Sequence, residues 1–414
     1  MRLGALVNGG NIMGLQNQKE LEERYVMSTF ARKPVCLVKG EGMHVYDDEG
    51  RDHLDFIAGI GVCSLGHCHP AVVRAICDQA EKLIHVSNYY YIEQRGEVSK
   101  ILCDMLGEHL PEDERPGWKV FYSNSGAESN ECAMKLARLY ARRFGNGGTD
   151  IVTLERSFHG RTMETLAATA QPAKQEAFQP MPGGFLHVPI NDIDALRSLF
   201  DDPANHICAL MVEVIQGEGG VHPCTPEYLQ AAVELCHERG ALLIADEVQT
   251  GIYRTGKAFG YQNFGVTPDI VSIAKGVASG FPMGACAAID EVARAFEPGD
   301  HGTTFGGSNL AVAAARATLS TLREGDLQRR ICEVGEHLRE RLAAIPGVEN
   351  VRGMGLMVGC DVPQTDAPAL VLEAIDEGFL LNATGPHTLR FLPPLICTEQ
   401  EADAVVDYLA AKIR

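Results

Sequence analysis

The sequence has no uninterrupted apolar run near the roughly eighteen residues that a membrane helix requires. It also has no dense lysine and arginine stretch, and a formal net charge of -19 opposes non-specific attraction to nucleic acid or to anionic membrane surfaces. No nucleic-acid or membrane partner is expected. There is no CxxC pair and no zinc-finger spacing. The 13 cysteines are odd in number and scattered from Cys36 to Cys397, which fits reduced thiols in a cytoplasm better than a disulfide framework. Internal repeats, low-complexity tracts and Gly/Ser linkers are absent as well, so the parts of the chain are expected to pack against one another with a cleft between them. Residues 1–16 are too weakly apolar for a secretory signal and too poor in Arg and Ser for a mitochondrial presequence. They read as a flexible extension.

What remains is an ordinary globular composition, with 45% hydrophobic and 22% charged residues in a chain of 414. That length exceeds what one hydrophobic core usually supports, so two domains are expected. From Gly40 to Phe56 apolar and polar residues alternate around a DDEG turn, the pattern of a β-hairpin. Helical periodicity follows in PAVVRAICDQAEKLIH and QRGEVSKILCDMLGEHL. Through the middle of the chain, short apolar runs (119–122, 151–154, 209–212, 242–245 and 270–273) alternate with helical stretches such as ESNECAMKLARLYARRF and PEYLQAAVELCHERG. This alternation predicts crossover units and a largely parallel sheet covered on both faces. Two helices after Gly306, some short strands and a last helix, EQEADAVVDYLAAKI, predict a smaller α+β unit.

In an α/β sheet, ligands gather beyond the carboxyl ends of the strands, so residues just after each apolar run are the candidates for chemistry. ALLIADEVQTG puts Asp246 and Glu247 at such an end, where a carboxylate needs a cation or hydrogen-bond donors; a divalent-cation ligand or a helix cap are the plainer readings. DIVSIAKG delivers Lys275 into a turn, where burial would lower its amine toward the nucleophilic form, although a lysine after a strand is usually solvated. SNSGAESNE places Ser125, Gly126 and Ala127 at a helix amino terminus, suited to phosphate, but equally readable as a capping box of Ser125 and Glu128. ERSFHGRT sets Phe158, His159 and Arg161 after another strand, as a ring-stacking and carboxylate-binding loop or simply a packed one. QGEGG at 216–220 and HGTTFGG at 301–307 are Gly-rich loops, each weak evidence alone. GHCHP at 66–70 offers His67, Cys68 and His69, but successive residues rarely converge on one metal ion, and a turn leading into a helix at Pro70 is the expected use. No metal is expected. A phosphate cradle, an aromatic cover, a buried acid, an amine and arginines together make the protein's half of pyridoxal 5′-phosphate chemistry.

With these residues in view, the chain from about Ser28 onward resembles the class III, fold-type I aminotransferases. The likeness rests on RKPVCLVKGEG, LDFIAGIGVCSLGHCHP, NSGAESNECAMKLAR, FHGRT, IQGEGGV, LLIADEVQTGIYRTGKAF, PDIVSIAKG, HGTTFGG and LRFLPPL, in the family's order. The resemblance implies an α/β fold with a mostly parallel seven-stranded sheet in a large cofactor domain (75–305), and a small α+β domain built from both chain ends (17–74 and 306–414). It implies pyridoxal 5′-phosphate as cofactor, with Lys275 as the Schiff-base lysine and proton carrier and Asp246 facing the ring nitrogen. Gln249 is implied at the ring hydroxyl, Phe158 on the ring face, and Ser125, Gly126 and Ala127 at the phosphate, with His159 and Val248 also in the cofactor's surroundings. Thr304 is implied to reach the phosphate of a neighbouring subunit, making the working unit a homodimer; position 303 receives no role. Arg161, Arg390, Glu213 and Glu218 are implied on the substrate side, Glu218 pairing with Arg390 when no dicarboxylate is bound. The implied reaction is transfer of the amino group of N2-acetyl-L-ornithine to 2-oxoglutarate in arginine biosynthesis, giving N-acetyl-L-glutamate 5-semialdehyde and L-glutamate. Ornithine, succinylornithine, 4-aminobutyrate and N-succinyl-diaminopimelate are the other donors within the class. Val214 for the usual Pro, GGSNL without the usual Pro, and Cys63 depart from the family pattern without removing a catalytic group. Outside the class, a non-catalytic cofactor-binding protein and a metalloenzyme using GHCHP are the competing readings.

Overall fold

The computed structural model describes residues 14–413. Most of the extension expected over 1–16 lies outside the described residues, but Leu15 already begins a helix, Leu15–Tyr25.

The large sheet has seven strands: β1 (Trp118–Ser123), β2 (Asp150–Leu154), β3 (Phe185–Val188), β4 (Ile207–Val212), β5 (Leu242–Asp246), β6 (Ile270–Ile273) and β7 (Gly284–Ile289). Their spatial order is β1-β7-β6-β5-β4-β2-β3. Only β7 runs against its neighbours, β1 and β6. Five of these strands follow from the sequence, and β3 and β7 do not. The FLHV segment of β3 is too short to show a period, and GACAAI in β7 is built of small residues without strand preference. Every residue of β4 is buried, because helices cover both faces of the sheet, and this is why its sequence is continuously apolar instead of alternating. One covering helix, Gly126–Arg143, turns Cys132, Ala133, Leu136, Ala137 and Ala141 toward the sheet.

Both chain ends contribute to the remaining sheets. The expected hairpin forms from His44–Asp47 and Asp52–Asp55, with Asp47 Oδ1 accepting the N–H groups of Glu49 (3.0 Å) and Arg51 (2.8 Å) across the turn. Leu37–Glu41 adds to one side of it, and Phe379–Leu380 pairs in parallel with Asp52–Asp55 on the other. A second sheet comprises Glu349–Met354, Met357–Asp361, Asn382–Gly385 and Thr388–Phe391.

Arg254 fastens this C-terminal region to the large sheet. It is 2% exposed, and its Nη1 donates to the carbonyls of Leu356 (2.9 Å) and Pro393 (2.5 Å). Burial pushes its guanidinium down to about 9, the consequence of a cation surrounded by carbonyl dipoles instead of a carboxylate. Replacing it by an apolar residue strands two buried carbonyls. Arg254→Leu is therefore expected to lose on the order of 2–3 kcal/mol of stability, read as a lower midpoint in denaturant unfolding; an unchanged midpoint would show that the two carbonyls find water instead.

Candidate active site

Strand β5 delivers Asp246 to the carboxyl edge of the sheet, where its side chain is only 4% exposed. Its Oδ2 accepts from Asn130 Nδ2 and His159 Nδ1, both at 2.8 Å, and its Oδ1 accepts from Val248 N–H at 3.0 Å. The donors come from the helix Gly126–Arg143, the loop after β2 and the turn after β5, so three elements meet the acid. Asn130 Nδ2 also donates to His159 O (2.7 Å), fixing the loop on which the histidine sits. Because a carboxylate only accepts, the proton on His159 is assigned to Nδ1, and the opposite Nε2 is buried without a partner among the described residues, as is Asn130 Oδ1.

Lys275 follows β6 with φ of +45°, in the left-handed region. For a residue with a long side chain this costs roughly 1–3 kcal/mol and persists only where the surroundings enforce it. Ser64 Oγ enforces it in part by donating to Gly276 O at 2.8 Å, and Ser279 Oγ accepts Leu65 N–H at 3.0 Å. Burial lowers the Lys275 amine; Glu218 opposes that, Arg390 adds to it, and Asp246 and Glu213 oppose it more weakly. A larger share of neutral, nucleophilic amine results.

Lys275 and Asp246 line the same cavity of about 430 Å³. Ser125, Gly126, Ala127, Phe158, His159, Arg161, Glu213, Val248 and Gln249 line it too, so most of the expected residues come together. SNSGAESNE forms the N-cap but only half of the capping box, because Glu128 turns back to Asn124 and not to the Ser125 N–H. Ser125 Oγ caps Glu128 N–H at 3.2 Å, while the Glu128 carboxylate accepts from Asn124 N (2.5 Å) and Nδ2 (2.9 Å). The N–H groups of Gly126 and Ala127 belong to the helix start and have no intrahelical acceptor, and both residues line the cavity. At Gly126 an added Cβ would come within 2.7 Å of Val248 Cγ1, so only glycine lets these two segments approach.

Arg390 and Glu218 lie beyond Gln249. Arg390, 2% exposed, uses Nη1 for Glu218 Oε1 (2.6 Å) and Gln249 Oε1 (3.2 Å), and Nε for Asn382 Oδ1 (3.0 Å). Burial raises the Glu218 carboxyl, but the adjacent Arg390 outweighs it, and the net displacement is below the usual carboxylate range. Glu213, expected on the substrate side, has both oxygens engaged by backbone: Oε1 by Phe158 N–H at 2.8 Å and Oε2 by Gly217 N–H at 3.0 Å. Burial pushes it up to about 7, with Asp246 acting in the same direction.

Thr304 is not brought to this cavity. It is exposed and borders a separate one of about 340 Å³ with Asn124, Glu128 and Thr303. In GHCHP, His67 Nε2 bonds Asp55 Oδ2 at 2.8 Å and His69 caps Ala71 N–H at 3.3 Å, so the two rings serve different partners. Among the described residues there is no cluster of three or more side chains suited to a metal. Sequence reasoning missed Asn130 and Asn382. The first carried a signal, a polar residue of poor helix propensity in a helix facing the sheet; the second, in a short strand, carried none.

An amine and a buried acid facing one cavity, with an amino-terminal helix cradle and an aromatic ring beside them, fit a phosphorylated pyridine aldehyde. The unshared N–H groups at Gly126 and Ala127 suit the phosphate, and Asp246 suits a protonated ring nitrogen.

Comparison with known proteins agrees with this geometry. The family model described as aminotransferase class-III matches residues 26–413. The acetylornithine aminotransferase of Caldanaerobacter subterraneus subsp. tengcongensis is 48% identical over 393 residues, covering 94% of this chain and 97% of that protein. The one from Methanocaldococcus jannaschii is 42% identical, covering 96% and 98%. Among solved structures, an ornithine aminotransferase from Toxoplasma gondii superimposes with a TM-score of 0.88 at 32% identity, covering 96% of this chain and 94% of that one. An acetylornithine aminotransferase from Elizabethkingia anophelis gives 0.84 at 32% identity, covering 97% and 99%. The chain belongs to the class III aminotransferases, a family whose cofactor is pyridoxal 5′-phosphate.

Proposed function

We propose that this chain transfers the amino group of N2-acetyl-L-ornithine to 2-oxoglutarate, producing N-acetyl-L-glutamate 5-semialdehyde and L-glutamate. One observation carries the reading: the cavity shared by Lys275 and Asp246 has a cation at the rim, Arg161, and adjoins a second, Arg390, already held by Glu218. Such a site can take an amine donor in one half-reaction and a dicarboxylate in the other. The names of the relatives with 42–48% identity support the choice of donor.

When bound, the cofactor supplies an electron sink for the carbon that loses a proton. Lys275 would hold the cofactor through Nζ, and the same amine, lowered by burial, would take up and return a proton. Asp246, oriented by Asn130 and His159, would hold a proton on the ring nitrogen. Phe158 would cover the cofactor ring, Gln249 would meet its hydroxyl, and Val248 packs against Gly126. The N–H groups of Gly126 and Ala127, with Ser125, would hold the phosphate. Arg161 and Arg390 orient substrate carboxylates through directional paired hydrogen bonds. Glu218 occupies Arg390 until a dicarboxylate competes for it.

The same proposal makes the working unit a cytoplasmic homodimer in which Thr304 serves the neighbouring site. Its support is the exposure of Thr304 away from the Lys275 cavity, and a group of outward aromatics, Tyr89 (94% exposed), Tyr91 (103%) and Phe305 (60%), that a second copy could cover. Among the described residues no helix is long and apolar enough to cross a membrane. A large domain over 75–305 and a small one from 17–74 and 306–414 complete it, supported by Phe379–Leu380 pairing with Asp52–Asp55.

The decisive experiment measures glutamate formed from 2-oxoglutarate with a panel of amine donors. Acetylornithine is expected to give the highest kcat/KM, and a higher value with ornithine would move the assignment to that donor. Lys275→Ala is expected to lose at least about a thousandfold in turnover, and borohydride should no longer fix the cofactor to the protein; full turnover in this variant would refute the mechanism. Glu218→Gln is expected to lower the KM for 2-oxoglutarate by about three- to tenfold, since the internal competitor for Arg390 is weakened, and to slow the amine half-reaction. Single-turnover measurements of each half-reaction separate the two effects.

A further inference from the structure

The ring of Phe158 has two cations beside it. Arg161 Cζ lies 5.5 Å from its centroid and Lys174 Nζ lies 5.8 Å away, both within cation–π range. No sequence motif includes Lys174, which sits in the four-residue helix Pro172–Gln175. Among the described residues neither cation pairs with a carboxylate. Arg161 is exposed at the cavity wall, and Lys174 Nζ donates to Gln171 Oε1.

That hydrogen bond fixes where the lysine points. Gln171 Nε2 donates to the carbonyls of Arg156 (3.2 Å) and Ser157 (2.9 Å), the two residues that precede Phe158. Lys174 is thereby tied to the loop that carries the ring and Arg161. Burial lowers the Lys174 amine, the like charge of Arg161 lowers it further, and Glu218 opposes both. The ring quadrupole offsets part of the repulsion between the two cations. An anion reaching both would offset far more, and in a chain of net charge -19 two cations beside one ring and without a paired carboxylate mark a place suited to one from outside.

We infer that Lys174 is a specificity-determining residue: together with Arg161 it binds the substrate carboxylate remote from the reacting amine, and so favours acidic donors over amines with uncharged or cationic tails. A carboxylate has two oxygens. Arg161 can offer its planar fork and Lys174 a point charge, so one group can satisfy both cations without displacing Phe158. The inference rests on the reading of the site proposed above.

The test compares N2-acetyl-L-ornithine with its carboxamide, which keeps the amine and loses the charge. Lys174→Gln is expected to raise KM for the acid about tenfold, with the loss on KM rather than kcat, to change KM for the carboxamide little, and to be rescued largely by Lys174→Arg. Calorimetric titration with glutarate, an unreactive dicarboxylate, should show the same weakening without turnover. If Lys174→Gln keeps both the acid preference and the glutarate affinity within about twofold while Arg161→Gln loses both, the inference is overturned and the parent reading survives. If neither variant changes either quantity, the carboxylate role of Arg161 falls as well.

Discussion

Asp246 brings a carboxyl group to a point almost closed to water, and the surrounding elements are arranged to meet it. A buried acid without donors would be costly. Here Asn130 comes from a helix, His159 from the loop after β2, and Val248 from the turn that follows Asp246 itself. Because Asn130 also holds His159 O, the three contacts act as one network in which each member limits the others. The position of Phe158, next to His159 and held by Glu213 from β4, follows from that network. So does the direction of the helix whose first N–H groups face the cavity.

The second constraint is the left-handed turn at Lys275. Its strain is local, but the groups enforcing it are distant: Ser64 precedes GHCHP, and the same segment accepts Leu395 N–H through Ser64 O (2.8 Å). Lys275 is therefore held by both ends of the chain. Arg390 extends this, coming from the C-terminal sheet to meet Glu218 and Gln249 near the large sheet. The Arg390–Glu218 pair lies where the two regions join, whereas the network around Asp246 is built on the large sheet alone.

Much of this was legible because it depends on local pattern. Apolar runs followed by Asp246 or Lys275 reveal strand ends, and strand ends in a parallel sheet face ligands. The Ser125–Gly126–Ala127 segment reveals a helix start. The sheet's edge strand β3 and its antiparallel β7 were not legible: four residues of FLHV carry no period, and the small residues of GACAAI are chosen by crowding. At Gly284 a Cβ would come within 2.5 Å of Ser123 Oγ and Ser129 Oγ, a contact that no local propensity encodes. Glu213 shows a different limit. Its place beside the site was foreseeable, yet its partners are two backbone N–H groups, and a sequence does not indicate which N–H groups a fold leaves free.

By itself the sequence determined the class of architecture and the strand ends and helix start that carry Asp246, Lys275 and Gly126, because strand periodicity, turn glycines and helix starts act over a few neighbours; the ordered motifs carried the likeness to an aminotransferase family. Tertiary structure alone decided which donors hold Asp246, that Asn382 joins Glu218 on the Arg390 guanidinium, and that Lys174 shares a ring with Arg161. These are contacts between side chains whose meeting depends on how whole elements pack, and packing distance has no counterpart in the spacing of residues along a chain.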